Sequence, residues 1–104
     1  MKHDKKLQKK FRSISHHLDP VVIVSNGLTE TVQAEIDRAL SDHELIKIRV
    51  NTADREAKKS VIGEICEHQK AELVQTIGNI ALIYRKAAEL KPHLSNIQRN
   101  SEIN

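Results

Sequence analysis

Three groups of residues in this 104-residue chain could do chemistry. The first is its six histidines. His16 and His17 are neighbours and so point to different sides of a helix, while His3, His43, His68 and His93 show no H-x-x-x-H or H-E-x-x-H spacing that would aim two imidazoles at one metal. No metal site and no cofactor is expected. The second is Cys66, the single cysteine, which can form neither an internal disulfide nor a thiolate pair and reads as a buried small hydrophobe. No G-x-S-x-G elbow or phosphate loop frames any serine, so an enzyme reading has nothing to start from. The third is the turn Ser25-Asn26-Gly27, which follows the apolar run "PVVIV" and directly precedes a helix start at Thr29. Backbone N–H groups beside the positive end of a helix dipole can hold a phosphate. On the turn alone the preferred reading is a connector, in which Gly27 supplies positive φ and Glu30 already occupies the dipole.

Charge adds a further pattern. Residues 1–20 carry six Lys/Arg against two acids, residues 21–44 one against five, and residues 45–60 five against two, within a net charge of +3. Such segmentation favours a partner that meets one face, and the commonest large anionic partner of a basic face is nucleic acid. In "DKKLQKKFRSISHHL" the apolar residues Leu7, Phe11, Ile14 and Leu18 recur at spacings of four and three, the stripe of an amphipathic helix. Lys2, Lys5, Lys9, Arg12 and His16 fall on the opposite side, with no acids at i+3 or i+4 to offset the four Lys and Arg residues.

These residues need elements to position them. Asp19-Pro20 ends the first helix, because proline disfavours the α conformation in the residue before it. Val21 to Val24 reads as a buried strand. Thr29 caps a second helix with Val32, Ile36, Ala39 and Leu40 inward and Glu30, Glu35, Asp37 and Asp42 outward. "LIKIRV" alternates, with Ile46, Ile48 and Val50 on one face and Lys47 and Arg49 on the other. Thr52 or Asp54 caps a third helix with Ala57, Val61, Ile62, Ile65 and Cys66 inward and Arg55 and Lys59 together on a flank. "ELVQTIGNIALIYR" reads as a hairpin about Gly78-Asn79. The order α-β-α-β-α-β-β predicts a single α/β domain over residues 1–87. Its mixed sheet of about four strands would be covered by three helices, with helix-separated strands pairing in parallel, followed by a polar tail over residues 88–104.

The strings "VSNGLTETVQAEIDRALSDHELIKIRV", "DRE" and "QTIGNIALIYR" resemble the bacterial YhbY family, the stand-alone form of the CRM (chloroplast RNA splicing and ribosome maturation) domain. The likeness covers about residues 4–86 and rests on Gly27-Leu28-Thr29, the "ELIKI" strand and the closing Tyr84-Arg85. It implies an RNA-binding fold like the C-terminal domain of bacterial translation initiation factor three, and association with precursors of the large ribosomal subunit. The family's G-x-x-G loop, which contacts RNA backbone as in KH domains, maps its last three positions onto Ser25, Asn26 and Gly27 and its first onto Val24. That departure shifts the expected binding from the loop towards the basic helix.

With Phe11 and Tyr84 as the only aromatics, a base-stacking platform is not expected, and affinity should come from phosphate contacts. Lys2, Lys5, Lys9 and Arg12 form the first expected set of RNA-binding residues. Ser25, Asn26 and Gly27 form the loop contact, and Lys47, Arg49, Arg55 and Lys59 a second set if the folded surface joins them. The rival reading is a protein-interaction adaptor for a ribosomal or other charged protein. The absence of an apolar run of about 20 residues and of a signal-like N-terminus leads us to expect a cytoplasmic protein with no membrane partner; a monomer is expected as well.

Overall fold

The computed structural model describes residues 5–25, 27–52, 54–89, 91 and 95–99. Helix α1 (Lys5–Ser15) is followed by β1 (Pro20–Val24), α2 (Glu30–His43), β2 (Leu45–Val50), α3 (Arg55–Gln69), β3 (Glu72–Ile77), β4 (Ile80–Tyr84) and a last turn of helix, α4 (Asn96–Arg99). The four strands form one sheet in the order β1-β2-β4-β3. β1 pairs in parallel with β2, whereas β4 runs antiparallel to both β2 and β3. Helix-separated strands were expected to be parallel neighbours. That holds for β1 and β2, but β4 folds back between β2 and β3. The two-residue hairpin, with Gly78 at φ +57, keeps β4 beside β3, and the ladder that pairs Leu45 with Tyr84 and Arg49 with Ile80 puts β4 on the β2 side.

Period-two alternation divides the sheet into two faces. Val22, Val24, Ile46, Ile48, Val50, Ala81 and Ile83 meet Ile36 and Leu40 of α2 and Ile62 and Ile65 of α3 in the larger core. Leu45 and Leu82 look the other way and meet Phe11 and Ile14 of α1. Full burial of side chains such as Ile14 and Leu45 stabilises by roughly 1.5–3 kcal/mol each. The ends of the helices follow from sequence. Thr29 Oγ1 accepts from Val32 N–H at 3.1 Å, Asp54 Oδ1 accepts from Glu56 N–H at 3.1 Å, and α3 stops where Lys70 turns left-handed at φ 55.

Two expectations are corrected. β1 is not a buried strand: it is an edge, and Val21 and Ile23 stand 48% and 57% exposed on it. A β-branched run satisfies a strand whether or not its second face is covered. Ala57 is exposed, and Gln69 takes the innermost polar place on α3 instead.

The stretch read as a polar tail also supplies buried contacts. The Glu44 carboxylate, 5% exposed, accepts from Ala87 N–H at 2.9 Å and from Ser95 Oγ at 2.6 Å, and Asn96 Nδ2 donates to the Leu45 carbonyl at 2.7 Å. Ile97 packs against the α1 side of the core. Lys91 pairs with Asp42 and holds its carboxyl below the usual carboxylate value, so this tie contributes above the ordinary carboxylate range and is lost as pH falls through the lowered value. Apart from Ile97 these ties are polar, and they leave no apolar periodicity to read. Removing residues 90–104 takes the Ser95 donor from a buried carboxylate, a cost of about 1–3 kcal/mol. The expected result in a circular dichroism melt is a cooperative transition lowered by about 5–15 °C. An unchanged midpoint would show that these contacts contribute nothing.

Candidate functional site

The amphipathic pattern of α1 leaves no choice about its outer side. With Phe11 and Ile14 pressed onto the sheet, Lys5, Lys6 and Lys9 are exposed and Arg12 is partly so. Lys5 and Lys9 are one helical turn apart, a like-charge pair that costs a helix about 0.2–0.5 kcal/mol. Among the described residues, no acidic side chain forms an ion pair with Lys5, Lys9 or Arg12.

β2 adds to the same side. Leu45, Lys47 and Arg49 alternate onto the α1 face, where Lys47 Nζ reaches back to donate to the Leu18 carbonyl at 3.1 Å. The register sets Ile23 beside Arg49, Arg49 beside Ile80 and Ile80 beside Ile77, a row across all four strands. α1 does not cover this row. Ile23 and Ile77 are 57% and 65% exposed, and Arg49 is exposed between Ile23 and Ile80. Where α1 approaches the sheet, a cleft of about 290 Å³ is lined by Arg12, Ser15 and His16 from the helix and by Lys47, Gln75, Ile77, Ile80 and Leu82 from the strands. Sequence periodicity foreshadows each wall but not their meeting.

The other expected positions lie elsewhere. Arg55 and Lys59 are exposed on α3, in the layer on the opposite face of the sheet, so the fold does not join them to α1. The acidic outer side of α2, with Glu30, Glu35 and Asp37, belongs to that layer too. The segregated charges of the sequence thus become a cationic sheet face backed by a mixed helical layer. Ser25 and Gly27 are exposed at the end of β1, and Gly27 has φ +87 with open space around it. The Thr29 hydroxyl already takes the Val32 N–H, so one helix-start donor is used locally. Val24, at the first loop position, is 1% exposed and paired with Val50, inside the sheet rather than in the loop. Lys2 and Asn26 lie outside the described residues.

Neither aromatic ring is presented as a platform. Phe11 is 2% exposed and packs on Tyr84 with ring centroids 4.8 Å apart. Burial, with the charges of Glu44 and Glu72, holds the Tyr84 phenol above its usual value, and burial does the same to the Cys66 thiol, away from thiolate reactivity. Arg85 is engaged structurally. Its guanidinium donates to Gln69 O and Oε1 at 3.2 and 3.1 Å, to Asp37 O at 3.0 Å and to Ser41 Oγ at 2.9 Å, and pairs with Asp37 Oδ1 at 3.0 Å. A second, wider cleft beside Arg85, about 650 Å³, has Glu30 and Asp37 on its walls together with Lys70 and Arg85, so its charges balance and it offers no cationic surplus. Among the described residues no group of three or more His, Cys, Asp or Glu is placed to hold a metal, and no helix is long and apolar enough to cross a membrane.

These features define a small α/β domain that presents an uncompensated cationic helix and a half-open sheet face. The chain belongs to the CRS1/YhbY (CRM) domain family, whose model matches residues 4–85. It is similar to a Pseudomonas aeruginosa protein named "Probable RNA-binding protein", with 50% identity over 93 residues covering 88% of this chain and 89% of that one. It is also similar to a Haemophilus influenzae protein named "RNA-binding protein", with 52% identity over 89 residues, 84% of this chain and 90% of that one. Among solved structures it resembles a Staphylococcus aureus protein described as hypothetical and as a candidate for RNA binding, with a TM-score of 0.71 and 34% identity over 83% of this chain and 91% of that one.

Proposed function

We propose that this protein binds RNA through the face formed by α1 and β2, and that its target is ribosomal RNA in precursors of the large subunit. The observation that carries the reading is the gathering of Lys5, Lys9, Arg12, Lys47 and Arg49 on one side of the sheet, with no carboxylate paired to them among the described residues. Unpaired cations held by a folded scaffold suit a polyanion, and phosphate contacts position the nucleic acid without reading its bases. The names of the relatives support RNA as that polyanion. The large-subunit target rests on the family likeness alone.

Ser25 and Gly27 add a secondary backbone contact at the end of β1, reached by RNA that runs off the sheet face. Arg55 and Lys59 would serve only an RNA long enough to wrap the domain edge. Crosslinking in cells, followed by sequencing of the attached RNA, tests this. The expected result is enrichment of large-subunit ribosomal RNA over messenger and transfer RNA. Recovery of protein partners without RNA would favour an adaptor that uses the acidic side of α2.

A further inference from the structure

We propose that the cleft between α1 and the sheet seats one unpaired nucleobase of the bound strand, Ile77, Ile80 and Leu82 forming its floor and Arg12 and Lys47 holding the flanking phosphates. The proposal rests on the RNA-binding reading and adds to it a preference for single-stranded over paired RNA. Three observations point to this occupant. The cleft's lining combines the aliphatic Ile77, Ile80 and Leu82 with the cations Arg12 and Lys47, the complement of a nucleotide, whose base has an apolar face and whose phosphate is an anion. The volume of about 290 Å³ sits at the lower limit of small-ligand sites, roughly 300–1,000 Å³, and suits one planar ring system better than a peptide segment. Finally, Ile77 is 65% exposed in the row that also exposes Ile23, an apolar surface that folding alone leaves uncovered.

The geometry also accounts for the scarcity of aromatics. Phe11 of α1 and Tyr84 of β4 pack against each other at a tilt and are not offered to a base. The contact area must then come from isoleucine and leucine, which cover a base without the directional preference of a stacked ring. Gln75, on the same wall, has an amide that can meet a base edge with either a donor or an acceptor. Binding through this seat should therefore tolerate any base and weaken when the base is absent or paired.

The test compares three probes by fluorescence anisotropy: an oligouridine, an abasic ribose-phosphate oligomer of the same length, and a glutamate-leucine peptide of the same charge. Wild type and Ile77→Ala are measured side by side; Ile77 is exposed, so the variant keeps its fold. Wild type should bind oligouridine about five- to tenfold more tightly than the abasic oligomer, through the apolar area that the base buries. Ile77→Ala should lose most of that difference and leave abasic binding and the salt dependence unaltered. Equal binding of the two RNA probes by wild type would overturn the base seat while leaving the RNA reading intact. Binding of the peptide in an Ile77-dependent manner, with neither RNA probe bound, would overturn both.

Discussion

Replacing Arg85 with alanine is expected to destabilise the fold by about 2–4 kcal/mol, because hydrogen bonds to a charged group contribute roughly 1.5–3 kcal/mol and here several are lost together. One guanidinium joins the end of α3 at Gln69 to Asp37 and Ser41 on α2, and its own backbone N–H bonds to the Glu44 carbonyl. Gln69 is 5% exposed, so part of its polar group is left without a partner when Arg85 is cut back. Arg85→Lys should recover little, since a single ammonium cannot reach both helices with the geometry of a planar fork. The measurement is urea unfolding, in which the midpoint should fall with the m-value unchanged. A variant that keeps its midpoint yet loses RNA affinity would make Arg85 a binding residue and not a clamp.

That assignment separates what the residue pattern conveyed from what only the fold conveys. Tyr84-Arg85 is visible in the sequence as a family mark, but its reason is tertiary: the Tyr84 ring lies on Phe11 while Arg85 reaches α2 and α3. The elements themselves were legible because each carries its own period. The four-three spacing of α1, the alternation of "LIKIRV" and the Gly78 turn all survive as read. What failed to show were features without periodicity. Glu44 adopts φ 63, a costly conformation for a residue with a side chain, and buries its carboxylate to bind Ala87 and Ser95, two partners more than forty residues further along the chain. Nothing local to "DHEL" announces such a role.

The candidate site was legible in part for the same reason. Helical and strand periods put Lys5, Lys9 and Arg12 on one side of a helix and Lys47 and Arg49 on one side of a strand. Whether the two sides meet depends on which sheet face α1 covers, and that is a matter of packing. Leu45 and Leu82 receive Phe11 and Ile14, so the sets meet, whereas Arg55 and Lys59 go with α3 to the other face. The open row from Ile23 to Ile77 follows from strand order and register, which depend on pairing between distant segments.

If the α1 face binds RNA phosphates, the largest effect belongs to the variant Lys5→Gln, Lys9→Gln, Arg12→Gln. Glutamine keeps a helix propensity near that of lysine and arginine, and removing the Lys5–Lys9 repulsion offsets any small loss, so the fold should be retained. Each phosphate contact with a single strand adds roughly 0.7 to the slope of log K against log salt, and three contacts add about two. Extrapolated from 1 M salt, where these contributions vanish, the same three contacts amount to about a hundredfold in affinity at 0.1 M. Unrelated RNA sequences should lose affinity alike, because no base is read by these side chains. The decisive measurement is a salt titration of single-stranded RNA binding by wild type and this variant, with a melt to confirm folding. The expected slope is flatter by about two units in the variant. An unaltered slope, with both proteins folded, would contradict phosphate binding by α1 and leave its cations as a solvated face.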